Sequence, residues 1–151
     1  MKEGLRLYAA VPNTLREASK DDVIPLKWPV KDRKTGEMMD KIVVNKGQQI
    51  LISIHAHNKT SYHYEDGYAF KPQRWIDNPN QPILTFLDGT RMCMGAKFAL
   101  LEIKLTLIHL ISNYRFDLNP AYEVESRGRL TLHPSIKGIK DPKMLLTVNR
   151  L

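Results

Sequence analysis

The chain has 151 residues, 42% of them hydrophobic, and its 23 basic and 16 acidic side chains give a formal net charge of +7. This length is sufficient for one globular domain with its own core, and the single cysteine excludes an intramolecular disulfide framework. The basic residues form no long run, and no segment has the apolar length of a membrane span. We therefore expect no targeting or transmembrane segment within these residues.

The first third of the chain is predicted to contain the end of a helix followed by extended segments. Residues 1 to about 10 are typical of a helix end, although no N-cap residue precedes them. Three prolines, Pro12, Pro25 and Pro29, predict loops and short extended pieces over residues 11–30. The polar segment 31–37, which has a glycine near its end, predicts an exposed hairpin turn.

Two strands and a largely irregular segment are predicted next. β-Branched residues favour strands over 41–45 and 48–54, with Lys46 and Gly47 as the turn between them. Residues 58–82 are rich in Asn, Asp, Tyr and Pro and show little periodicity, so mostly irregular structure is expected there.

The clearest helix is predicted over residues 95–112. Its apolar residues form two arcs around the helix axis. The broad first arc contains Ala99, Leu100, Ile103, Leu107, Leu110 and Ile111, and the second contains Leu101, Leu105 and Ile108. We therefore expect this helix to be buried over most of its circumference. In the tail, alternation at 129–132 and an apolar run at 144–148 predict a terminal β hairpin.

Cys93 lies between two glycines, just before the predicted long helix. A thiol at such a junction faces the unpaired N–H groups and the positive dipole end of the helix, which favour the thiolate. Gly89 and Gly95 permit a tight turn and the close approach of a flat ligand, while Arg91 supplies a cation for an anionic group. The thiolate would suit a soft or borderline metal, haem iron included, although a lone cysteine is more often a small buried hydrophobe.

The spacing around the cysteine decides between these two interpretations. The pattern F-x-x-G-x-R-x-C-x-G, formed by Phe86, Gly89, Arg91, Cys93 and Gly95, resembles the cysteine-loop signature of the cytochrome P450 family, the haem-thiolate monooxygenases. The Phe-Ala pair that commonly follows this signature is also present. The resemblance implies that Cys93 is the axial ligand of the iron of haem b, and that the other four residues form the cofactor-binding loop.

Three shorter motifs extend the resemblance along the chain. Glu3 and Arg6 form an E-x-x-R pair on one helical face, which by itself would indicate only a weak surface ion pair. Within the family, this pair and Arg74 of the F-x-P-E-R-F/W box at 70–75 imply a buried Glu-Arg-Arg structural network. Arg16, which ends a P-x-x-x-R motif, would bind a haem propionate. Gln73 replaces the usual glutamate of the box, which affects one neighbouring hydrogen bond but not the role of the arginine.

The order of these motifs implies an α+β fold, mainly α in the parent protein. The expected elements are the end of the E-x-x-R helix, a small β region, an irregular meander, the cysteine loop, a long buried helix and a terminal β hairpin. We expect residues 1–151 to be the C-terminal part of a single cytochrome P450 domain, most like fungal microsomal members. The family's oxygen-activating A-G-x-D/E-T helix has no counterpart here, so the upstream distal half is expected to be absent. No catalytic residue is expected beyond the haem ligand.

The resemblance also implies an activity and partners. The parent would insert one oxygen atom of O2 into a small apolar organic substrate, with electrons from an NADPH-dependent reductase or a similar donor. The surface on the cysteine side is cationic, because it carries Arg91, Lys97 and Lys104. In the family, this surface binds an acidic electron donor. The parent is expected at the cytoplasmic face of the endoplasmic reticulum membrane.

Three alternatives compete with this interpretation. The chain could be a catalytically silent, truncated fragment that binds haem weakly or not at all. A basic nucleic-acid binder is disfavoured, because no recognised motif or clustered basic stripe supports it. A zinc site from His55 and His57, predicted on one strand face, and His63 lacks a fourth ligand at credible spacing. Ordinary strand or loop histidines are therefore the expectation.

Overall fold

The computed structural model describes residues 1–128, 130–140 and 143–151, which form one long helix, several short helices and small antiparallel sheets. This mixture of helices and small sheets confirms the predicted α+β class. In chain order the elements are α1 (Lys2–Leu7), β1 (Asn13–Glu17), β2 (Asp22–Lys31), β3 (Met38–Val44), β4 (Gln49–Ser53), α2 (Ile54–His57), α3 (Arg74–Asp77), a 3-10 turn (Gly89–Arg91), α4 (Ala96–Asn113), β5 (Tyr114–Leu118), β6 (Val124–Gly128), β7 (Leu132–Ile136) and β8 (Leu146–Arg150).

These elements belong to two compact units. One unit comprises Met1–Pro12 and Ser53–Leu151, and the other comprises Asn13–Ile52. Of the elements that the structure describes, the helices and the last four strands belong to the first unit, and the second unit is built from the first four strands.

In the second unit, β2 and β3 form an antiparallel hairpin while β1 pairs with β4. The prediction of loops and short extended pieces over 11–30 is confirmed for β1, which has five residues. It is wrong for β2, a ten-residue strand that includes Pro25 and Pro29. Proline lacks the N–H donor of a strand, but it is tolerated at an unpaired edge or a bulge. Each strand of a two-stranded sheet has such an edge, and the register shifts between Pro25 and Val30.

The predicted hairpin turn at 31–37 is confirmed, and it connects β2 to β3. The backbone N–H of Asp32 donates to the carbonyl of Glu37 at 2.8 Å, and the Asp32 carboxylate accepts from the backbone N–H of Lys34 at 2.6 Å. The two strands expected on either side of Lys46-Gly47 are also present, as β3 and β4, but they do not pair with each other. β3 pairs with β2 through the preceding hairpin, and β4 pairs with β1.

The first unit has a small apolar core, to which α1 and β7 contribute. Its buried apolar side chains are Leu7, Ala9, Ile54, Tyr64 and Ile136. The helix end predicted over 1–10 is present, but α1 ends at Leu7. Residues 58–82 are mostly irregular, as predicted, with α3 as the one regular helix that the structure shows within this segment.

The tail contains the predicted terminal hairpin, which is formed by β6 and β7 with Val124 opposite Ile136. Arg129, the first residue of the predicted alternation, lies outside the described residues. The apolar run at 144–148 overlaps β8, which pairs antiparallel with β5 and not with the hairpin.

The long predicted helix is confirmed as α4, but its predicted burial is wrong. No residue of α4 is buried, and its large exposed side chains are Phe98, Leu101, Leu105, Leu107, Ile108 and Ile111. Among the described elements, only β5, which follows it directly, packs appreciably against it. None of the described helices has the length and apolarity needed to cross a membrane.

Replacing Leu105 by glutamate is expected to reduce self-association of the chain. The side chain is 60% exposed and lies within the apolar surface of α4, and a contiguous apolar patch favours association. Gel filtration should show the unmodified chain eluting ahead of a monomer, with the variant shifted towards the monomer position. Thr106→Glu adds the same charge at an exposed neighbouring position without removing apolar surface, so it should not produce the shift. A monomeric unmodified chain would contradict this expectation.

Candidate functional site

The cysteine loop is closed by backbone hydrogen bonds. The N–H of Cys93 donates to the carbonyl of Phe86 at 2.8 Å, and the N–H of Met92 donates to the carbonyl of Gly89 at 3.1 Å. Asp88 caps the 3-10 turn, because its carboxylate accepts from the N–H of Gly89 at 2.7 Å. Gly89 has φ +66°, a conformation that glycine adopts without steric cost. The spacing of the motif therefore corresponds to a specific closed turn.

The Cys93 side chain is exposed where this loop enters α4. The carbonyl of Cys93 accepts from the N–H of Ala96 at 3.2 Å, and Gly95 is the N-cap of the helix. A Cβ built on Gly95 would lie 3.9 Å from the Cys93 Sγ, so the absence of a side chain there leaves the sulfur open on that side. The sulfur is accessible to a ligand that approaches the loop.

The surroundings of Cys93 fit an iron porphyrin. A thiolate is a suitable donor to haem iron, and Met92, Met94 and Phe98 expose apolar surface close by in the chain. Within the part of the chain that the structure describes, no group of three or more His, Cys, Asp and Glu residues could hold a metal ion.

The structure brings Glu3, Arg6 and Arg74 together in a second cluster. Arg6 is completely buried and bonds the Glu3 carboxylate through two nitrogens, Nη2 to Oε1 at 2.7 Å and Nε to Oε2 at 2.9 Å. Arg74 Nε reaches the same Glu3 Oε1 at 3.2 Å. Bidentate pairing of this kind is among the stronger polar interactions in proteins.

Glu3 also accepts hydrogen bonds from two groups that the sequence analysis did not predict. Trp75 Nε1 donates to Glu3 Oε2 at 2.8 Å, and the backbone N–H of Lys71 donates to Glu3 Oε1 at 2.9 Å. Both residues lie within the box at 70–75 that identified Arg74. The aromatic position at the end of that box was therefore the feature that could have revealed this bond.

The Arg6 guanidinium also binds the irregular segment that follows α2. Its Nη1 donates to the carbonyls of Asn58 at 2.7 Å and Gly67 at 2.6 Å, and its Nη2 donates to that of Ala69 at 3.0 Å. The ring of Tyr64 lies 4.7 Å from the Arg6 guanidinium. These contacts lie in a segment without periodicity, so no sequence pattern could have predicted them.

Asn58 connects this cluster to the start of the cysteine loop. The residue is fully buried, its Oδ1 accepts from the N–H of Leu84 at 2.8 Å, and its Nδ2 donates to Thr85 Oγ1 at 2.9 Å. Thr85 Oγ1 in turn donates to the carbonyl of Leu5 in α1 at 2.7 Å. The chain is therefore held in place immediately before Phe86.

The contacts around Glu3 determine its charge state. Burial raises the pKa of the Glu3 carboxyl, but hydrogen bonds from Arg6, Lys71 and Trp75, together with the charge of Arg6, outweigh this effect. They lower the pKa from the ordinary 4.5 to about 2. Glu3 is therefore ionised at every pH at which the protein is expected to be handled.

The remaining predicted residues have local environments. Arg16, in the second unit, is half-buried and its Nη1 donates to Thr14 Oγ1 at 2.8 Å and to the carbonyl of Leu15 at 2.7 Å. Gln73, which departs from the family motif, donates to Asp77 Oδ1 at 3.0 Å. The three basic residues predicted on the cysteine side, Arg91, Lys97 and Lys104, are all exposed.

The expectation that His55 and His57 share a strand face is wrong, because both lie in α2. The chain leaves β4 at Ser53, whose side-chain oxygen caps α2 by accepting from the N–H of Ala56 at 3.2 Å. The ring of His57 lies 4.9 Å from that of His63. His55 instead contacts Lys59, with 3.0 Å between Nε2 and Nζ.

The cytochrome P450 family profile matches residues 1–138. The chain belongs to the cytochrome P450 family. It is 35% identical to cytochrome P450 monooxygenase 205 of Postia placenta over 152 residues, which covers 93% of this chain and 28% of that protein. It is 31% identical to cytochrome P450 monooxygenase claO of Ampulloclitocybe clavipes over 163 residues, covering 99% of this chain and 30% of that protein. Both relatives are fungal.

Solved P450 structures share the fold. Retinoic acid-bound cyanobacterial CYP120A1 superposes with a TM-score of 0.77 at 24% identity, covering 99% of this chain and 32% of that one. The haem domain of cytochrome P450DA superposes with a TM-score of 0.75, also at 24% identity. The chain spans about 30% of the length of the curated relatives it matches, and it corresponds to the C-terminal part of the P450 domain.

Glu3→Gln is expected to destabilise the protein at neutral pH by about 3–5 kcal/mol, because it leaves buried Arg6 without its counter-ion. Since the folded-state pKa of Glu3 lies below its ordinary value of 4.5, its contribution is complete above that value and is lost as the pH falls towards 2. Urea unfolding across this pH range should show the loss in the original chain and not in the variant.

Glu37→Gln is the matched control, because Glu37 is exposed in the β2–β3 turn. Its stability at neutral pH should stay within about 0.5 kcal/mol of the original. A Glu3→Gln protein with the original stability and the original acid sensitivity would show that the carboxylate is not paired.

Proposed function

We propose that this P450 is a haem-thiolate monooxygenase in which Cys93 is the axial ligand of the iron of haem b. The observation that carries the proposal is the exposed Cys93 thiol, held at the entrance to α4 by a loop closed on Phe86. Bound haem would supply oxygen activation and the insertion of one oxygen atom into a small apolar organic substrate.

The residues of the loop would hold the cofactor in distinct ways. Phe86 anchors the backbone of Cys93 through its carbonyl. Gly89 allows the left-handed turn of the loop, with φ +66°, and Gly95 adds no side chain beside the sulfur. Arg91 is exposed and available to an anionic group. In the second unit, Arg16 would bind a haem propionate through its guanidinium.

The proposed role of Glu3, Arg6 and Arg74 is structural. Their carboxylate and guanidinium groups fix α1 to the segment after α2, and Asn58 carries this connection to Leu84. The loop that presents Cys93 begins directly after that anchored point. The network would thereby determine where the sulfur lies without contacting the cofactor.

The family and the exposed charges support a proposal for the electron donor, and the family supports one for the location. P450 proteins generally use a redox partner, and exposed Arg91, Lys97 and Lys104 offer cations to an acidic one. We propose an NADPH-dependent reductase or a similar donor at this surface. We also propose that residues 1–151 are the C-terminal part of a single P450 domain, and that the complete protein acts at the cytoplasmic face of the endoplasmic reticulum membrane.

Cys93→Ser in the complete protein is expected to abolish thiolate ligation. The ferrous carbon monoxide complex of the original protein should show a strongly red-shifted Soret band, and the variant should lack it because a hydroxyl does not replace the thiolate. Met94→Leu, a change at the exposed neighbouring residue, should leave the band in place. Persistence of the band in Cys93→Ser would refute the assignment of the ligand.

The second candidate function concerns the 151-residue chain alone, which we propose is catalytically silent. The exposed apolar side chains of α4 favour this candidate, because such surface normally packs against further protein. The chain, supplied with haem and a donor reductase, should yield no oxygenated product on analysis of the reaction mixture. Turnover by the monomeric chain would contradict the proposal while leaving the ligand assignment intact.

A further inference from the structure

Leu87 has an unusual backbone conformation within the cysteine loop. Its φ is +61°, and among the described residues only Asp66 shares a positive φ without being a glycine. Aspartate enters this left-handed region more readily, because its short polar side chain can bond the local backbone, whereas a bulky side chain such as that of leucine seldom does. Leu87 occupies a position that the cysteine motif leaves open, so the motif gives no indication of this turn.

The peptide group that precedes the Leu87 Cα is fixed by hydrogen bonds on both sides. Its carbonyl, from Phe86, accepts from the N–H of Cys93 at 2.8 Å, and its N–H, from Leu87, donates to the carbonyl of Leu84 at 2.9 Å. The N–H of Leu84 in turn donates to Asn58 Oδ1 at 2.8 Å. Leu87 is therefore the last link in a series of contacts that runs from the buried Asn58 to the backbone of Cys93.

The φ torsion of Leu87 directs the path of the loop. Because the preceding peptide group is fixed, this torsion determines the direction in which the chain leaves it, and the chain must return the N–H of Cys93 to the Phe86 carbonyl. Asp88 continues the path in an extended conformation, with φ −147° and ψ 167°, and Gly89 turns it again with φ +66°. The loop therefore contains two left-handed turns, of which glycine occupies one. A sterically unfavourable conformation persists only where its surroundings enforce it, and such residues cluster at functional sites.

We propose that Leu87 is a positioning residue of the haem-thiolate site, and that its left-handed backbone conformation places the Cys93 sulfur for ligation. This inference rests on the proposed function, because it takes Cys93 as the iron ligand. Leu87 acts through the backbone bond between Cys93 and Phe86, without itself contacting the cofactor. The conformation of its backbone determines this role, and the apolar character of its half-buried side chain does not.

Two substitutions separate the backbone conformation from the side chain. Leu87→Ile keeps the same number of carbon atoms and the same apolarity, but the β-branch makes a positive φ much less accessible. Leu87→Asn removes the apolar character, but asparagine tolerates the left-handed region. The chemically conservative change is therefore expected to be the harmful one. Leu26→Ile is the matched control, because Leu26 is half-buried in β2 and does not have a positive φ.

The first measurement is residue-resolved amide hydrogen exchange in the complete protein, which reports on the Cys93 N–H whatever ligand the iron has. In Leu87→Ile the Cys93 amide should exchange several-fold faster than in the original protein, because its bond to the Phe86 carbonyl opens more often. In Leu87→Asn and in Leu26→Ile the exchange rate should stay close to the original. An unchanged rate in Leu87→Ile, or an equal acceleration in Leu87→Asn, would overturn the proposal.

The second measurement is the fraction of the ferrous carbon monoxide complex that shows the red-shifted Soret band of thiolate ligation. This fraction should fall several-fold in Leu87→Ile and be retained in Leu87→Asn. The opposite order would overturn the proposal, because it would show that side-chain packing governs the loop. If Leu87→Ile does not fold, Leu87→Asn and Leu87→Gly still decide the question, since loss of the band in both variants would contradict the proposed role.

The two levels of inference fail in different ways. If the original protein and Leu87→Ile show the band equally, the role of Leu87 is refuted and the assignment of Cys93 remains intact. If the original protein lacks the band, or Cys93→Ser retains it, the proposed function itself is refuted.

Discussion

The buried ion pair between Glu3 and Arg6 is the interaction on which the rest of the first unit depends. Arg6 uses its nitrogens both on the Glu3 carboxylate and on three backbone carbonyls of the segment after α2. That segment has little regular structure, so its carbonyls need partners other than a helix or sheet ladder. A single guanidinium supplies them. These bonds from Arg6 fix the position of Asn58, which in turn bonds Leu84 just before the cysteine loop.

This arrangement has an energetic asymmetry. Buried ion pairs add little net stability compared with a well-packed apolar core, yet losing one partner leaves a buried charge uncompensated. The first unit has few buried apolar side chains, so polar contacts contribute a large share of its internal order. The ring of Tyr64 lies near the guanidinium groups of both Arg6 and Arg74, at 4.7 and 5.6 Å. The side chains of Glu3, Arg6, Arg74 and Tyr64 therefore form one connected cluster of contacts.

How well each feature could be predicted from the sequence depends on whether its residues are neighbours in the chain. The cysteine loop and α4 were predictable because their patterns are contiguous, and the contact of Arg74 with Glu3 was predictable only through the family motifs. The contacts of Asn58 and Tyr64 were not predictable, since they join irregular segments. Pro25 and Pro29 misled the assignment of β2, because their effect depends on whether a strand has a free edge. The burial of α4 was mispredicted because periodicity reports which residues are apolar, and not what covers them.

Asn58 has a consequence outside haem chemistry, because Asn58, Lys59 and Thr60 together form an N-x-T acceptor sequence for N-linked glycosylation. Its side-chain amide is completely buried, and both of its polar atoms are engaged, Oδ1 with Leu84 and Nδ2 with Thr85. An oligosaccharide attached there would displace those contacts and could not fit in the space available. In the folded protein this sequence is therefore closed to the glycosylation machinery, and a sugar could be added only before α1 and the segment after α2 come together.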